Sequence, residues 1–288
     1  MKFLKKTLSV LLVLSLVLGL CACSSKKNDE NIGEIITKAQ ENMQNLKSMS
    51  YGMKMEIGMS IAGQEMNMVM DYDADCILDP IKMKMDVKVD MGALGSTNMT
   101  TYIAQDGDKF ITYVGADDGD GNISWTKQET DTPAALEQYD PKDSTNLYLK
   151  NSGNFKKSTD ETIEGTECTR YDGVISKSAL GEVFKQSNII EQFSSLGITE
   201  QMFENMVNEF DDMPISIWIS KDKTMPVKYE MDMTSIMNKL ITAAFSGNEE
   251  LSEMEVSITK TAISMTFKNF DSVNDIVIPE EALAASAD

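Results

Sequence analysis

The sequence predicts an α+β fold in which helices cover one face of a curved antiparallel sheet. Two observations lead to this prediction. Long segments alternate apolar and polar residues with a period of two, as strands with one solvated face do, and tight turns separate them. Amphipathic segments with helical spacing stand before this run of strands and within its second half. A sheet with one apolar face must bury that face, and the helices supply the cover.

The composition removes several kinds of chemistry before any motif is considered. The 288 residues include no histidine and a single arginine, Arg170, and the formal net charge is −20. Catalytic triads, His-ligated zinc and haem with a proximal histidine all need imidazole. The acidic charge argues against a nucleic-acid surface. We therefore expect no cofactor, no metal and no nucleic-acid partner.

The first residues carry a targeting signal. Three lysines precede an apolar run at 8–20, which is too short to span a bilayer core of about 30 Å. The segment 20–23, Leu-Cys-Ala-Cys, resembles a bacterial lipobox, and the resemblance implies that Cys23 receives a diacylglycerol. We expect a signal peptide at 1–22 and a lipidated polar tether at 23–31. The alternative is an ordinary cleaved signal peptide with chance cysteines.

The first half of the remaining chain shows the change of period most clearly. One amphipathic helix is predicted over about 31–48. Three long strands follow, with turns at Ala62-Gly63 and Asp79-Pro80 between them, and a further hairpin turns at Asp106-Gly107. This order predicts an antiparallel meander.

The second half alternates strands with helices. Strands are predicted at about 154–159 and 163–176, a helical block at 178–211, a short helix at 235–245 and a strand at 254–270. A hairpin joins the two helical segments, and its turn begins at Lys221. Because no linker or break in composition interrupts the chain after the tether, we predict a single domain over 32–288.

Two short motifs resemble the LolA/LolB-like superfamily. Residues 217–228 resemble that group's hairpin of a strand, an acidic turn and a Pro-Val-Lys strand. Residues 267–270 and 276–280 resemble the final strand and the Ile-x-Ile-Pro close of Gram-positive lipoproteins of this type. The superfamily includes outer-membrane lipoprotein carriers and the LppX/LprG-type lipoproteins of mycobacteria, which carry acylated lipids. The resemblance implies an unclosed half-barrel that holds acyl chains on its concave face beneath helices.

Methionines dominate the apolar positions of the early strands. Thioether side chains are flexible and polarizable, so they suit exchangeable apolar partners better than Leu or Ile do. We predict that they line a cavity for an apolar ligand, together with two phenylalanines from the helical block. The predicted lining residues are Met53, Met55, Met59, Met66, Met68, Met70, Met83, Met85, Met91, Phe193 and Phe203. Two alternatives remain: a fully packed core without a ligand, and capture of Cu(I) by thioethers.

Other candidate sites have weaker support. Cys76 and Cys168 are permitted to form a disulfide outside the cytoplasm, but buried free thiols in two strands are an equal alternative. The acidic loop at 117–122 lacks the spacing of an EF-hand calcium site. Ser-x-x-Lys occurs without the companion motifs of penicillin-recognising enzymes.

The sequence as a whole favours binding over catalysis. We expect a non-catalytic lipoprotein on the extracytoplasmic side of the cell membrane, anchored by its diacylglycerol and binding an apolar ligand that is an acyl lipid. The alternative function is a structural or interaction lipoprotein with a filled core. The sequence identifies no protein partner.

Overall fold

The computed structural model describes residues 32–117, 122–130, 155–186, 200–246 and 256–286. Within these ranges the helices are α1 (Ile32–Gln44), α2 (Lys177–Gln186), α3 (Glu200–Val207), α4 (Thr234–Ser246) and α5 (Glu280–Leu283). The strands are β1 (Ser48–Ile61), β2 (Gln64–Leu78), β3 (Ile81–Asp90), β4 (Ser96–Asp106), β5 (Lys109–Asp117), β6 (Ile123–Thr130), β7 (Lys156–Ile163), β8 (Thr166–Ile175), β9 (Met213–Ser220), β10 (Pro226–Asp232) and β11 (Val256–Lys268).

The described strands form one open antiparallel sheet, which confirms the predicted fold class. Their order is β6-β5-β4-β3-β2-β1-β11-β10-β9-β8-β7, so the sheet does not close into a barrel. The pairing of β1 with β11 joins two segments that are far apart in sequence and places them at the centre of the sheet. Two meanders, β1–β6 and β7–β11, are thereby combined into a single surface.

The turns show which strand boundaries were predicted correctly from the sequence and which were displaced along the chain. Ala62 and Gly63 join β1 to β2 with φ angles of 50° and 78°, as expected for a tight hairpin. The boundary between β7 and β8 lies at Glu164-Gly165, several residues after the predicted break at 159–163. β7 is an edge strand with mostly exposed side chains, so its sequence carries no apolar alternation that could mark its end.

One face of the sheet, called the inner face below, packs against α1–α4. α1 contributes Ile36, Ala39 and Met43, while Leu180 of α2 and Leu240 of α4 join the same buried cluster. The sheet contributes alternating residues of several strands, including Met49, Cys76, Met83, Ile103, Phe110, Tyr171, Ile175 and Ile217. These four helices therefore cover the inner face, as predicted, because only alternate residues of each strand are apolar.

The opposite face, called the outer face, carries most of the charged side chains and the end of the chain. After β11 the chain crosses this face, and Ile276 and Ala282 pack against Tyr102 and Tyr113. The segment 276–279, which carries the Ile-x-Ile-Pro part of the sequence motif, is not a strand. No helix within the described ranges has the length and apolar character needed to span a membrane.

Candidate functional site

Methionines of three central strands lie directly opposite one another on the inner face. In the register of β1 and β2, Met55 is paired with Met70 and Met59 with Met66. Met53 of β1 is paired with Met265 of β11. Since side chains of directly paired residues share a face and lie about 4.5–5.5 Å apart at Cβ, these thioethers form a continuous apolar surface. We call the surface formed by Met53, Met55, Met59, Met66, Met68 and Met70 the methionine face.

The methionine face is only half-buried, although it continues the face that bears the core. Met53, Met55, Met59, Met68 and Met70 have intermediate burial, and Met66 is 41% exposed. None of the six belongs to the buried cluster beneath the helices or to the side chains packed against it. The sheet therefore presents an apolar area that its described core does not use.

The lengths of the strands explain this position. β3 ends opposite Val69 of β2, and β10 ends opposite Ala262 of β11. The end of β1 and the beginnings of β2 and β11 project beyond both neighbours. α4 begins beside this projection, where the Thr261 amide donates to Thr234 Oγ1 at 2.8 Å. Met59, Met66 and Met68 thus lie on this projection at one end of the sheet, next to the first turn of α4, while Met53, Met55 and Met70 lie beside its base.

The remaining predicted lining residues are distributed over three environments. Met83 and Met85 are 3% and 7% exposed and pack in the core. Phe203 is fully buried and packs edge-on against Phe210 with ring centroids 6.4 Å apart. Met91 follows β3 and is 38% exposed, and Phe193 lies outside the described residues. The structure therefore brings together six of the predicted residues, in the β1–β2 hairpin.

Sequence analysis missed four residues of the inner face beside the methionine face. Ile263 and Met265 are half-buried in β11 opposite Met55 and Met53, and the period-two pattern of the predicted strand could have identified them. Tyr229 of β10 is paired with Met265, and Thr261 of β11 is paired with Ile57. These pairings join segments that are distant in sequence, so no local pattern indicates them.

Within the described part of the chain, the buried hydroxyls of Tyr229 and Thr261 have no hydrogen-bond partner. Tyr229 is 2% exposed and Thr261 is 4% exposed. Burial raises the pKa of the Tyr229 hydroxyl well above its usual value of 10.0, so the group stays protonated and can donate. Buried polar groups without a partner are rare in folded proteins and cost about 1–3 kcal/mol each.

Cys76 and Cys168 are both buried and form no disulfide. Cys76 lies on β2 and Cys168 on β8, and the sheet order places β1, β11, β10 and β9 between them. With neighbouring strands about 4.8 Å apart, this separation is far beyond the reach of a disulfide.

On the outer face, the aromatic ring of Trp218 is surrounded by charged side chains. Trp218 is buried between the guanidinium of Arg170 and the ammonium of Lys228, which lie 5.0 Å and 4.7 Å from the ring centroid. Its indole Nε1 donates to Glu161 at 2.9 Å. A nearby depression of about 400 Å³ is lined by charged and small side chains, among them Lys54, Glu56 and Glu230. This face has the character of a solvated surface stabilised by cross-strand ion pairs.

No group of three or more His, Cys, Asp or Glu side chains that could hold a metal ion occurs in the described part of the chain. The acidic loop considered for calcium falls largely outside the described residues, since 118–121 are not among them.

The sequence of residues 31–287 matches a family described as "Family of unknown function (DUF6612)". The chain belongs to this family. No curated protein matches the sequence.

Several solved structures are similar in fold. Lipoprotein LppX of Mycobacterium tuberculosis is 12% identical, with 87% of this chain and 100% of that chain covered and a TM-score of 0.43. LprF of Mycobacterium bovis is 13% identical, with 87% and 96% covered and a TM-score of 0.45. An outer membrane lipoprotein-sorting protein domain of Vibrio parahaemolyticus is 10% identical, with 84% and 93% covered and a TM-score of 0.26.

Proposed function

We propose that this protein is a non-catalytic, membrane-anchored lipoprotein that binds an apolar ligand, most simply an acyl lipid, against the methionine face. The observation that carries the proposal is the half-burial of this face. Six thioether side chains share one side of the β1–β2 hairpin, yet they lie outside the described core. Contiguous apolar surface of this kind marks a site of interaction in a soluble domain.

The chemistry of the face suits an acyl chain. A methionine side chain can change rotamer to follow a flexible partner, and its sulfur makes favourable dispersion contacts. The face offers no positive charge for an anionic group, since Lys54, the one lysine of the two hairpin strands, lies on the outer face. Lys54 is bound to Glu56 there. The ligand is therefore recognised by its apolar part.

Binding is tested with the mature protein from Ser24 onward, which lacks only the signal peptide and the lipidated cysteine. We expect an organic extract of the purified protein to contain lipid, and the protein to take up phenylnaphthylamine, an uncharged dye that fluoresces in apolar sites. An empty extract together with no dye uptake would overturn the proposal and favour the structural lipoprotein with a filled core.

The position of the site is tested with a pair of matched variants. The double variant Met55→Gln/Met70→Gln keeps side-chain length but places two amides on the methionine face. Because burying an unpaired amide costs about 1–3 kcal/mol, dye affinity should fall at least about tenfold. The control Lys54→Gln/Glu56→Gln changes the same hairpin on the outer face and should leave dye affinity unchanged. Equal effects of the two double variants would exclude this face as the site.

The anchor is tested separately. The lipobox-like segment ends at Cys23, and the tether of about eight residues reaches at most roughly 28 Å from the membrane when fully extended. Two acyl chains are needed for stable anchoring, since one chain binds a membrane only marginally. We expect Cys23→Ala to move the protein from the membrane fraction to the soluble fraction. Retention of the variant in the membrane would contradict the assignment of Cys23 as the anchor.

A further inference from the structure

The inner face holds a hydrogen-bond donor that the fold leaves unused. Tyr229 Oη is buried and has no partner. The ring itself is well packed, with Phe267 edge-on at a centroid distance of 5.6 Å. Packing therefore fixes the position of the ring, while the hydroxyl at its end makes no hydrogen bond to the described residues.

Tyr229 is continuous with the methionine face. In sheet register one row runs from Tyr229 of β10 through Met265 of β11 and Met53 of β1 to Tyr72 of β2. The row begins in the buried core at Tyr229 and reaches half-buried side chains at Met265 and Met53. A chain-like ligand lying along the methionine face thus approaches the unpaired hydroxyl at the inner end of this row.

The surroundings of Tyr229 select the kind of group that the hydroxyl could bind. Its register neighbours are Ile217 and Met265, and its ring contact is Phe267, all apolar. An ionised carboxylate placed among such side chains would lose its hydration without gaining a cation, which is very costly. A neutral carbonyl has a much smaller desolvation cost and needs one donor, which Tyr229 supplies.

We propose that Tyr229 Oη donates a hydrogen bond to a neutral acyl carbonyl of the bound ligand, so that the protein prefers uncharged acyl esters to free fatty acids. This inference rests on the proposed function and deepens it. Thr261 Oγ1, another buried hydroxyl without a partner, lies four residues along β11 from the partner of Tyr229, about 13 Å away. It provides a second donor position toward the outer end of the methionine face.

The test compares Tyr229→Phe with the wild-type mature protein, using a long-chain monoacylglycerol, the corresponding free fatty acid at neutral pH and the uncharged dye. We expect Tyr229→Phe to weaken monoacylglycerol binding about five- to tenfold, the value of one hydrogen bond. Dye affinity should be unchanged, and the urea midpoint of the ligand-free protein should not fall, since no bond within the protein is lost. The wild type should bind the free fatty acid more weakly than the ester.

Tyr171→Phe is the matched control. Tyr171 is a buried inner-face tyrosine of β8, but its hydroxyl is not among the unpaired groups. This variant should leave monoacylglycerol affinity unchanged. Undiminished monoacylglycerol binding by Tyr229→Phe, or a loss of dye and ester binding alike, would overturn the inference while leaving the proposed function in place. Failure of the wild type to bind any of the three compounds would overturn both.

Discussion

Trp218 contacts two cations and one carboxylate on the outer face of the sheet. Its ring is 2% exposed and lies between two cations, while its indole Nε1 donates to Glu161. The hydroxyl of Thr159 and the indole of Trp218 both donate to the Glu161 carboxylate and lower its pKa below the usual 4.5. A carboxylate with a lowered pKa stabilises the folded state above its unfolded pKa, and this contribution disappears as the pH falls through the folded pKa.

We therefore expect Trp218→Phe to raise the pKa of Glu161 toward its ordinary value. The variant keeps an aromatic ring between the cations but cannot donate to the carboxylate. Its loss of stability relative to wild type should be largest near neutral pH and should shrink as the pH falls below 4.5, because wild type then loses the same contribution. Urea unfolding at several pH values and an NMR titration of the carboxyl carbon measure the two effects. An unchanged Glu161 pKa would contradict this explanation, and Thr159→Val serves as a variant that removes the other donor.

The β1–β2 hairpin depends on a turn whose sequence is not ideal for its geometry. Both turn residues have positive φ, which glycine adopts freely but alanine does not. Ala62 thus carries a backbone strain of about 1–2 kcal/mol, whereas Asn-Gly is a preferred pair for this kind of turn. The strain sits at the tip of the projection that bears the methionine face.

Replacing Ala62 by asparagine should stabilise the protein by about 0.5–1 kcal/mol, since asparagine tolerates the left-handed conformation better than alanine. Gly63→Ala should destabilise it by about 1 kcal/mol for the converse reason. Equilibrium urea denaturation measures both changes. Ala116→Asn, at an exposed strand position of β5 without positive φ, is the control and should bring no gain. Equal stabilisation by both asparagine substitutions would show that the turn is not the cause.

The order of the strands determines how far apart Cys76 and Cys168 lie, so the state of these two thiols tests that order. Cys76 and Cys168 are separated by four strands of one sheet, and burial raises the pKa of the Cys168 thiol. A folded variant that begins at Ser24 should therefore react slowly with a thiol reagent, and after denaturation without a reductant it should show two free thiols. Fewer than two would indicate a disulfide and contradict the sheet order.

Much of this architecture was accessible from local patterns. The period of two in β1, β2 and β3 predicted strands, the face on which their methionines lie and the turns between them. α1 and α4 followed from helical spacing, with boundaries within a few residues of those observed. The predicted β7–β8 boundary was misplaced because the residues of this exposed edge strand do not alternate between apolar and polar. Six of the methionines predicted to line a cavity lie together on one face of the β1–β2 hairpin, while Met83 and Met85 are core residues.

The amino-acid sequence alone predicted a signal peptide, excluded chemistry that needs imidazole and supplied the alternation that assigns the strand methionines to a face. These properties depend on residues close together in the chain, so a local pattern suffices to define them. The fold was needed to pair β1 with β11, to separate Cys76 from Cys168 and to leave the Tyr229 hydroxyl without a partner. Each of these outcomes depends on which distant segments become neighbours. Burial and hydrogen-bond satisfaction are properties of that packing rather than of any single segment.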